Sequence, residues 1–303
     1  MTSRRRVDGL LVLDKPRGPS STQVLGYVKR LFRASKAGHA GTLDPLASGL
    51  LPVMFGEATK FAQQGLESDK SYLAEIELGI NTDSGDSEGE VLSRQSVSVS
   101  REQVQDVVAS MVGPQLQVPP MHSALKHQGK PLYAYARVGE EVHRSGRRIE
   151  IHSIALIGME GTRIQVQLRC SKGTYVRVIA QEIGSRLGCG AYLAGLRRNG
   201  LGPLGDEDAV SLERLEALAK DDPTGIDRVL LPVDHLIRDW PTVTLGHVQL
   251  DSFLHGQVVS IPPAPGHSIQ DRVRVIDGSG RFFGTGSWVG GQLSPTRLLA
   301  QHS

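Results

Sequence analysis

Apolar residues alternate along some stretches of the chain and recur every three to four positions in others, which marks strands and helices respectively. Tyr72, Ala74, Ile76 and Leu78 fall on one face of a strand, as do Ile164, Val166, Leu168 and Cys170. Leu10 to Leu13 is a short buried strand that ends at Asp14, Lys15 and Pro16. Ser20 and Gln23 have capping-box spacing and open a helix whose stripe is Val24, Val28 and Leu31. Ser100 and Gln103 open a second, with Val104, Val107, Val108 and Met111 inside and Gly113-Pro114 as its stop. The turn at Ser171 to Gly173 leads into a third, carrying Val176, Ile179, Ile183 and Leu187, and Ser211 to Ala219 is a fourth. Gly38 to Gly49 reads as a glycine-rich loop. Residues 118–150 read as a basic loop with a short helix over Leu132 to Val138, and Lys220 to Asp227 as a linker.

After about Pro232 the pattern changes to short strands and turns: Arg272 to Ile276, a turn over Asp277 to Gly280, then Arg281 to Phe283. Strands and helices without regular βαβ alternation predict an α+β fold with a mixed, mostly antiparallel sheet and flanking helices. A small β-rich C-terminal domain follows it. The division falls at 1–235 and 236–303 of the 303 residues.

Charge sharpens this picture. The net charge of +2 hides segregation. Residues 1–40 hold nine basic side chains against Asp8 and Asp14, and residues 121–150 hold six against three glutamates. Residues 169–198 hold six against Glu182, whereas residues 67–90 hold eight carboxylates against Lys70. Three basic stretches that converge would attract phosphates; separately, they would be ordinary solvated faces. Tyr133 and Tyr135 interleave the second stretch and favour nucleic acid.

Several chemistries are excluded or weak. The longest apolar run, around Gly49 to Phe55, is too short for a membrane span, and Arg4 to Arg6 before Leu10 to Leu13 make too short a signal peptide. Cys170 and Cys189 form no CxxC pair, which suits a reducing cytosol, and no histidine spacing suggests a metal. Gly200 to Gly205 matches GxGxxG, but it follows a basic, helical-looking segment and contains Pro203, so it predicts no dinucleotide site. Asp83, Gly85 and Ser87 resemble a calcium loop with Glu88 where glycine is required. Cys170 reads as a buried strand residue before it reads as a nucleophile. Asp44 lies among small residues that let a ligand approach the backbone, although an Asp before Pro is commonly a turn residue.

The companions of Asp44 change its reading. Leu11 to Gly18 (LVLDKPRG), Gly38 to Pro45 (GHAGTLDP), Phe55 to Lys60 (FGEATK) and Asp69 to Tyr72 (DKSY) come first. Val118 to Lys126 (VPPMHSALK), Cys170 to Arg177 (CSKGTYVR) and Leu196 to Arg198 follow. Over residues 9–202 this series closely resembles the TruB family of bacterial tRNA pseudouridine-55 synthases. The match is weaker beyond, mainly at Leu230 to Asp234. The family usually has Tyr where His122 and His127 stand.

The resemblance implies isomerisation of one uridine in the TΨC arm of tRNA, with no cofactor and no metal. It implies Asp44 as the catalytic carboxylate, acting as nucleophile on uracil or sugar or as the base that removes a ribose proton. Arg177 would pair with Asp44. The Tyr72 ring would pack on the extruded uracil, and its hydroxyl would handle the proton leaving carbon 5. His39 would fill the gap left in the tRNA arm, and Lys15 and Pro16 would support the active-site loop. Leu196 and Tyr175 would line the pocket. Lys126, Lys130, Arg144, Arg147 and Arg148 would meet phosphates from a flexible clamping segment over 118–150. The tail would resemble an RNA-binding PUA module. The partner is tRNA, in the cytoplasm, with no membrane and no obligate protein partner implied. Two rivals are a uridine methyltransferase using Cys170, for which the chain offers no methyl-donor site, and a non-catalytic tRNA chaperone.

Overall fold

The computed structural model describes residues 4–222, 225–261 and 270–300. The first strands and helices are β1 (Gly9–Lys15), α1 (Ser21–Leu31), β2 (Ala37–His39), β3 (Ala47–Phe55), α2 (Ala62–Glu67) and β4 (Lys70–Leu78). A small hairpin, β5 (Ile80–Thr82) and β6 (Val91–Arg94), precedes α3 (Arg101–Ala109) and β7 (Gly113–Gln117). Then come β8 (Lys126–His127), β9 (Lys130–Pro131), α4 (Leu132–Ala136), β10 (Arg147–Glu160), β11 (Arg163–Cys170), α5 (Val176–Arg186) and β12 (Ala191–Leu201). β13 (Leu204–Gly205), β14 (Val210–Ser211) and α6 (Leu212–Asp221) complete the larger unit.

One sheet runs β14-β1-β3-β12-β4-β11-β10-β7, with β13 on β12 and β2 on β3. Only β1–β14 and β3–β12 pair in parallel, so the sheet is mixed and mostly antiparallel. The alternation in β4 puts Tyr72, Ala74, Ile76 and Leu78 inside. There they meet Val104 and Val108 of α3, Ile179 and Ile183 of α5, and Val166 and Leu168 of β11. Both capping boxes form as the serine–glutamine spacing predicts. A second core joins α1, β1, β3 and α6 through Val24, Val28, Leu11, Val53 and Leu215.

The tail is a five-stranded sheet, ordered Thr242–Thr244, Gln270–Ile276, Phe282–Val289, Gln292–Leu298 and Val259–Ser260. Phe253, Val275, Trp288 and Leu293 form its core. Lys60 Nζ donates to Leu298 O at 2.7 Å, and Ala300 N donates to Glu57 Oε2 at 2.6 Å, which ties this sheet to the larger unit. No helix among the described residues is long and apolar enough to cross a membrane.

The structure corrects five local expectations. Residues 191–201 are strand, because Ala191 and Leu193 alternate inward against β4, so the GxGxxG run is a β12–β13 hairpin and not a helix start. The loop of 38–49 is shorter, since β2 and β3 take its ends. The basic segment is no loop at its end: Arg147 and Arg148 pair with Gln117 and Leu116 as the start of β10, and α4 stops at Ala136. Gly113 and Pro114 lie in β7, an edge strand where proline costs no ladder bond; α3 has already ended. The linker of 220–227 begins inside α6 and continues as a 3₁₀ turn that buries Ile226. Residues 223 and 224 of it lie outside the described residues.

Candidate active site

Asp44 sits on the loop between β2 and β3, and its neighbours fix that loop from several sides. Leu43 N donates to Ser21 Oγ at 2.8 Å and Ser21 Oγ donates to Leu43 O at 2.9 Å, so the first residue of α1 staples the loop. Ala47 N donates back to Asp44 O at 3.0 Å. Lys15 is wholly buried, and its ammonium donates to Pro16 O and Ala47 O, each at 2.8 Å. That burial pushes its pKa down to about 8. Lys15 therefore holds the loop from behind. Pro16 supplies one of those carbonyls, and neither residue lines the cleft. Gly49, at φ +96°, lets β3 pass against β12: a Cβ there would stand 2.2 Å from Arg198 O.

Arg177 reaches Asp44 from the first turn of α5. The turn before the helix needs Gly173 at φ +79°. Tyr175 N at the helix cap donates to Gln117 Oε1 at 2.8 Å, and Gln117 returns a bond to Tyr175 O. Arg177 Nη2 lies 3.0 Å from Asp44 Oδ2 and Nη1 lies 3.4 Å from Asp86 Oδ2. The guanidinium also donates to Ser84 O at 3.3 Å and to His122 O at 2.7 Å. The bond to residue 122 goes to the main-chain carbonyl, so a His in place of Tyr leaves it intact.

Asp86 is buried in the β5–β6 turn, where Ser84 Oγ and Glu88 N donate to Oδ1 at 2.5 and 3.0 Å. Leu193 N donates to Gly85 O and Ser87 N to Leu193 O, which lashes this turn to β12. Sequence reasoning dismissed the turn as a failed calcium loop and missed Asp86. Its acidic residues and glycine were the available signal.

About two-fifths of the Asp44 side-chain surface opens to the cleft. The carboxylate nevertheless sits deep among protein atoms, and that burial raises its pKa above the ordinary range. The charge of Arg177 opposes the rise, and Asp86 adds to it.

The cleft in front of Asp44 has a volume of about 1150 Å³. It brings together Asp44, Tyr72, Tyr175, Arg177 and Leu196, with Arg147 and Arg148 also on its walls. Tyr72 is almost fully buried, and burial raises its pKa, so it is a phenol at neutral pH. Arg198, which carried no role in the sequence reading beyond its motif, also lines the cleft and is the cross-strand partner of Tyr72. His39, Lys126 and Lys130 are not among the lining residues. His39 is half-buried on β2, and burial and Arg198 push its pKa down. Lys126 is exposed on β8, and Lys130 Nζ lies 4.4 Å from the Tyr135 ring centroid. Such a site holds a fixed, cation-paired carboxylate under a concave wall that takes a planar ring, with cations to attract phosphate.

Cys170 faces the core from β11, and burial pushes its thiol up to about 11. A thiolate nucleophile is absent at neutral pH. Cys170→Ala is expected to keep turnover within about threefold while losing about 1 kcal/mol of stability from the small cavity; steady-state kinetics and a melting curve check both.

Comparison with known proteins gives the family. Residues 29–176 match the TruB family pseudouridylate synthase N-terminal domain. Residues 177–238 match the tRNA pseudouridylate synthase B C-terminal domain, and 241–299 the pseudouridine synthase II TruB C-terminal model. The chain belongs to the TruB family of pseudouridylate synthases. It is 48% identical over 300 residues to a tRNA pseudouridine synthase B of Burkholderia mallei (strain NCTC 10247), with 98% of each chain covered. It is likewise 48% identical over 298 residues to one from Azoarcus sp. (strain BH72), covering 98% of this chain and 96% of that one. Among solved structures it resembles a chain of a Cbf5-Nop10-Gar1 complex, with TM-score 0.74 and 25% identity over 97% of this chain and 84% of that chain.

Proposed function

We propose that the protein converts uridine 55 in the TΨC arm of tRNA to pseudouridine. The observation that carries the reading is the Asp44 carboxylate held 3.0 Å from Arg177 at the mouth of a cleft that also presents Tyr72. The relatives named tRNA pseudouridine synthase B support the tRNA substrate. The N1–C1′ bond breaks, the uracil turns, and a C5–C1′ bond forms; C5 loses a proton and N1 gains one. Composition is unchanged, so the step needs no redox partner. The target base leaves its stack at a cost of a few kcal/mol, part of which stacking on Tyr72 returns. Asp44 supplies the negative charge for cleavage, as nucleophile or as base, and Arg177 keeps it ionised once substrate expels water. Leu196 and Tyr175 shape the wall around the base. His39 fills the space the base vacates. Residues 1–235 carry the chemistry, and 236–303 serve as a PUA-like RNA contact. A tRNA substrate and two free, buried cysteines agree with a cytoplasmic site of action.

The test is incubation of unmodified tRNA with the protein and no added cofactor, followed by chromatography of the digested nucleosides. Pseudouridine at position 55 only is expected, and unchanged uridine would sink the reading.

Arg147 and Arg148, exposed at the start of β10 and lining the cleft, are proposed to meet phosphates. Lys126, Lys130 and Arg144 extend that contact from the neighbouring segment. Replacing Arg147 and Arg148 together with Ala is expected to flatten the slope of log affinity against log salt by roughly one to two units. Turnover at saturating tRNA changes less. An unchanged slope, measured by filter binding, would place the tRNA elsewhere.

A further inference from the structure

Adjacent arginines of β12 meet opposite fates. Arg197 points outward and finds two carboxylates, Asp14 at 2.9 Å and Asp206 at 2.7 Å. Arg198 points inward, is 1% exposed, and has no carboxylate within ion-pair distance among the described residues. A buried cation without a counter-charge is costly, and a well-packed apolar residue of similar size usually serves a core better. Yet the surrounding backbone is built to admit this side chain. A Cβ at Gly41 would stand 3.2 Å from Arg198 Nη1, so only glycine leaves the guanidinium its full room there. The β12–β4 register breaks between Arg198 and Gly200, an irregularity of the kind that re-aims a side chain beside a site.

Two donors of Arg198 are spent on main-chain carbonyls. Nε donates to Leu50 O at 2.8 Å and Nη2 to Gly41 O at 3.0 Å, which are main-chain contacts that any rigid donor would satisfy. Tyr72 of β4 is its cross-strand register partner, and the two side chains share the cleft wall and attract each other electrostatically. A guanidinium only donates, so toward it the Tyr72 oxygen can only accept, which leaves the O–H to be offered to a base in the cleft. The cation also opposes the burial that otherwise makes a phenolate costly.

We infer that Arg198 is a positioning residue of the isomerisation: its unpaired buried guanidinium fixes the Tyr72 hydroxyl and stabilises negative charge on it during turnover. The inference rests on the proposed role of Tyr72 against the flipped uracil. It gives the buried Arg198 a function and separates it from Arg177, which faces the Asp44 carboxylate.

The test is a double-mutant cycle of Arg198→Met and Tyr72→Phe, read as kcat and KM on tRNA. Arg198→Met alone is expected to lower kcat about 10- to 100-fold, the rate equivalent of one hydrogen bond to a charged group, with KM within about threefold. In the Tyr72→Phe background the same substitution is expected to cost less than about threefold. Equal fold losses in both backgrounds would overturn the inference, as would Tyr72→Phe turning over at the wild-type rate. Arg198→Lys keeps the charge and covers a folding failure of Arg198→Met. In that variant the ¹³Cζ resonance of Tyr72, identified by its loss in Tyr72→Phe, is expected to shift and kcat to fall less than in Arg198→Met. A stationary resonance overturns the inference. Wild-type protein that forms no pseudouridine would instead sink the function itself, so the two failures are distinct.

Discussion

Asp44→Asn is expected to abolish pseudouridine formation, by on the order of 10⁴-fold or more, while the protein folds and binds tRNA within a few-fold of wild type. The substitution is nearly isosteric. Asparagine can still occupy the turn whose carbonyl accepts from Ala47 N, and it still faces Arg177. It loses only the charge. The stability side has a definite sign. The folded-state pKa of Asp44 is raised by burial, so its ionised form is disfavoured in the folded protein relative to the unfolded chain. Ionised Asp44 therefore works against folding at neutral pH, and that penalty fades as pH falls through the folded pKa. Asp44→Asn is expected to melt at or above the wild-type temperature at pH 7, with the difference closing at acid pH. Loss of activity with a lower melting temperature would point to misfolding. Activity within tenfold of wild type, with deamidation excluded by mass spectrometry, would remove Asp44 from the chemistry.

The elements that sequence periodicity predicted best are those with an apolar face to bury. β4 and β11 alternate because helices α3 and α5 cover one side of them. The capping serines declare α1 and α3 because the unpaired amides of a helix start need an acceptor. β12 escaped because it lies mid-sheet between β3 and β4, and its Gly195, Arg197, Arg198 and Gly200 blur the alternation. Asp44 and Arg177 were legible as motif residues, but their contact spans 133 positions and only the fold brings it about. Asp86 and Arg198 are buried and meet partners distant in sequence, whereas charge alone reads as surface in a linear chain. Lys15, which charge alone counts with the first basic stretch, is fully buried as a donor to two carbonyls, behind the loop that the resemblance has it support.

Arg177→Met and Asp86→Asn are expected to move the acid limb of the pH–rate profile in opposite directions. Arg177 lies between two carboxylates, 3.0 Å from Asp44 and 3.4 Å from Asp86. Its positive charge lowers the pKa of Asp44, against burial and against Asp86, which raise it. Removing the cation leaves burial and a like charge unopposed, so Asp44 stays protonated to higher pH and the limb shifts up. Removing the Asp86 charge subtracts a raising influence, so the limb shifts down. Arg177→Met also strands Asp86, which is almost fully enclosed, and breaking such a buried pair costs about 3 kcal/mol or more. The double variant Arg177→Met with Asp86→Asn should therefore regain most of the lost stability and little of the activity, because Asp44 still lacks its partner. Melting curves and pH profiles on the four proteins check this. If Arg177→Met leaves the acid limb in place, the guanidinium serves only to join the loops at residues 84 and 122, and the ionisation of Asp44 depends on its other neighbours.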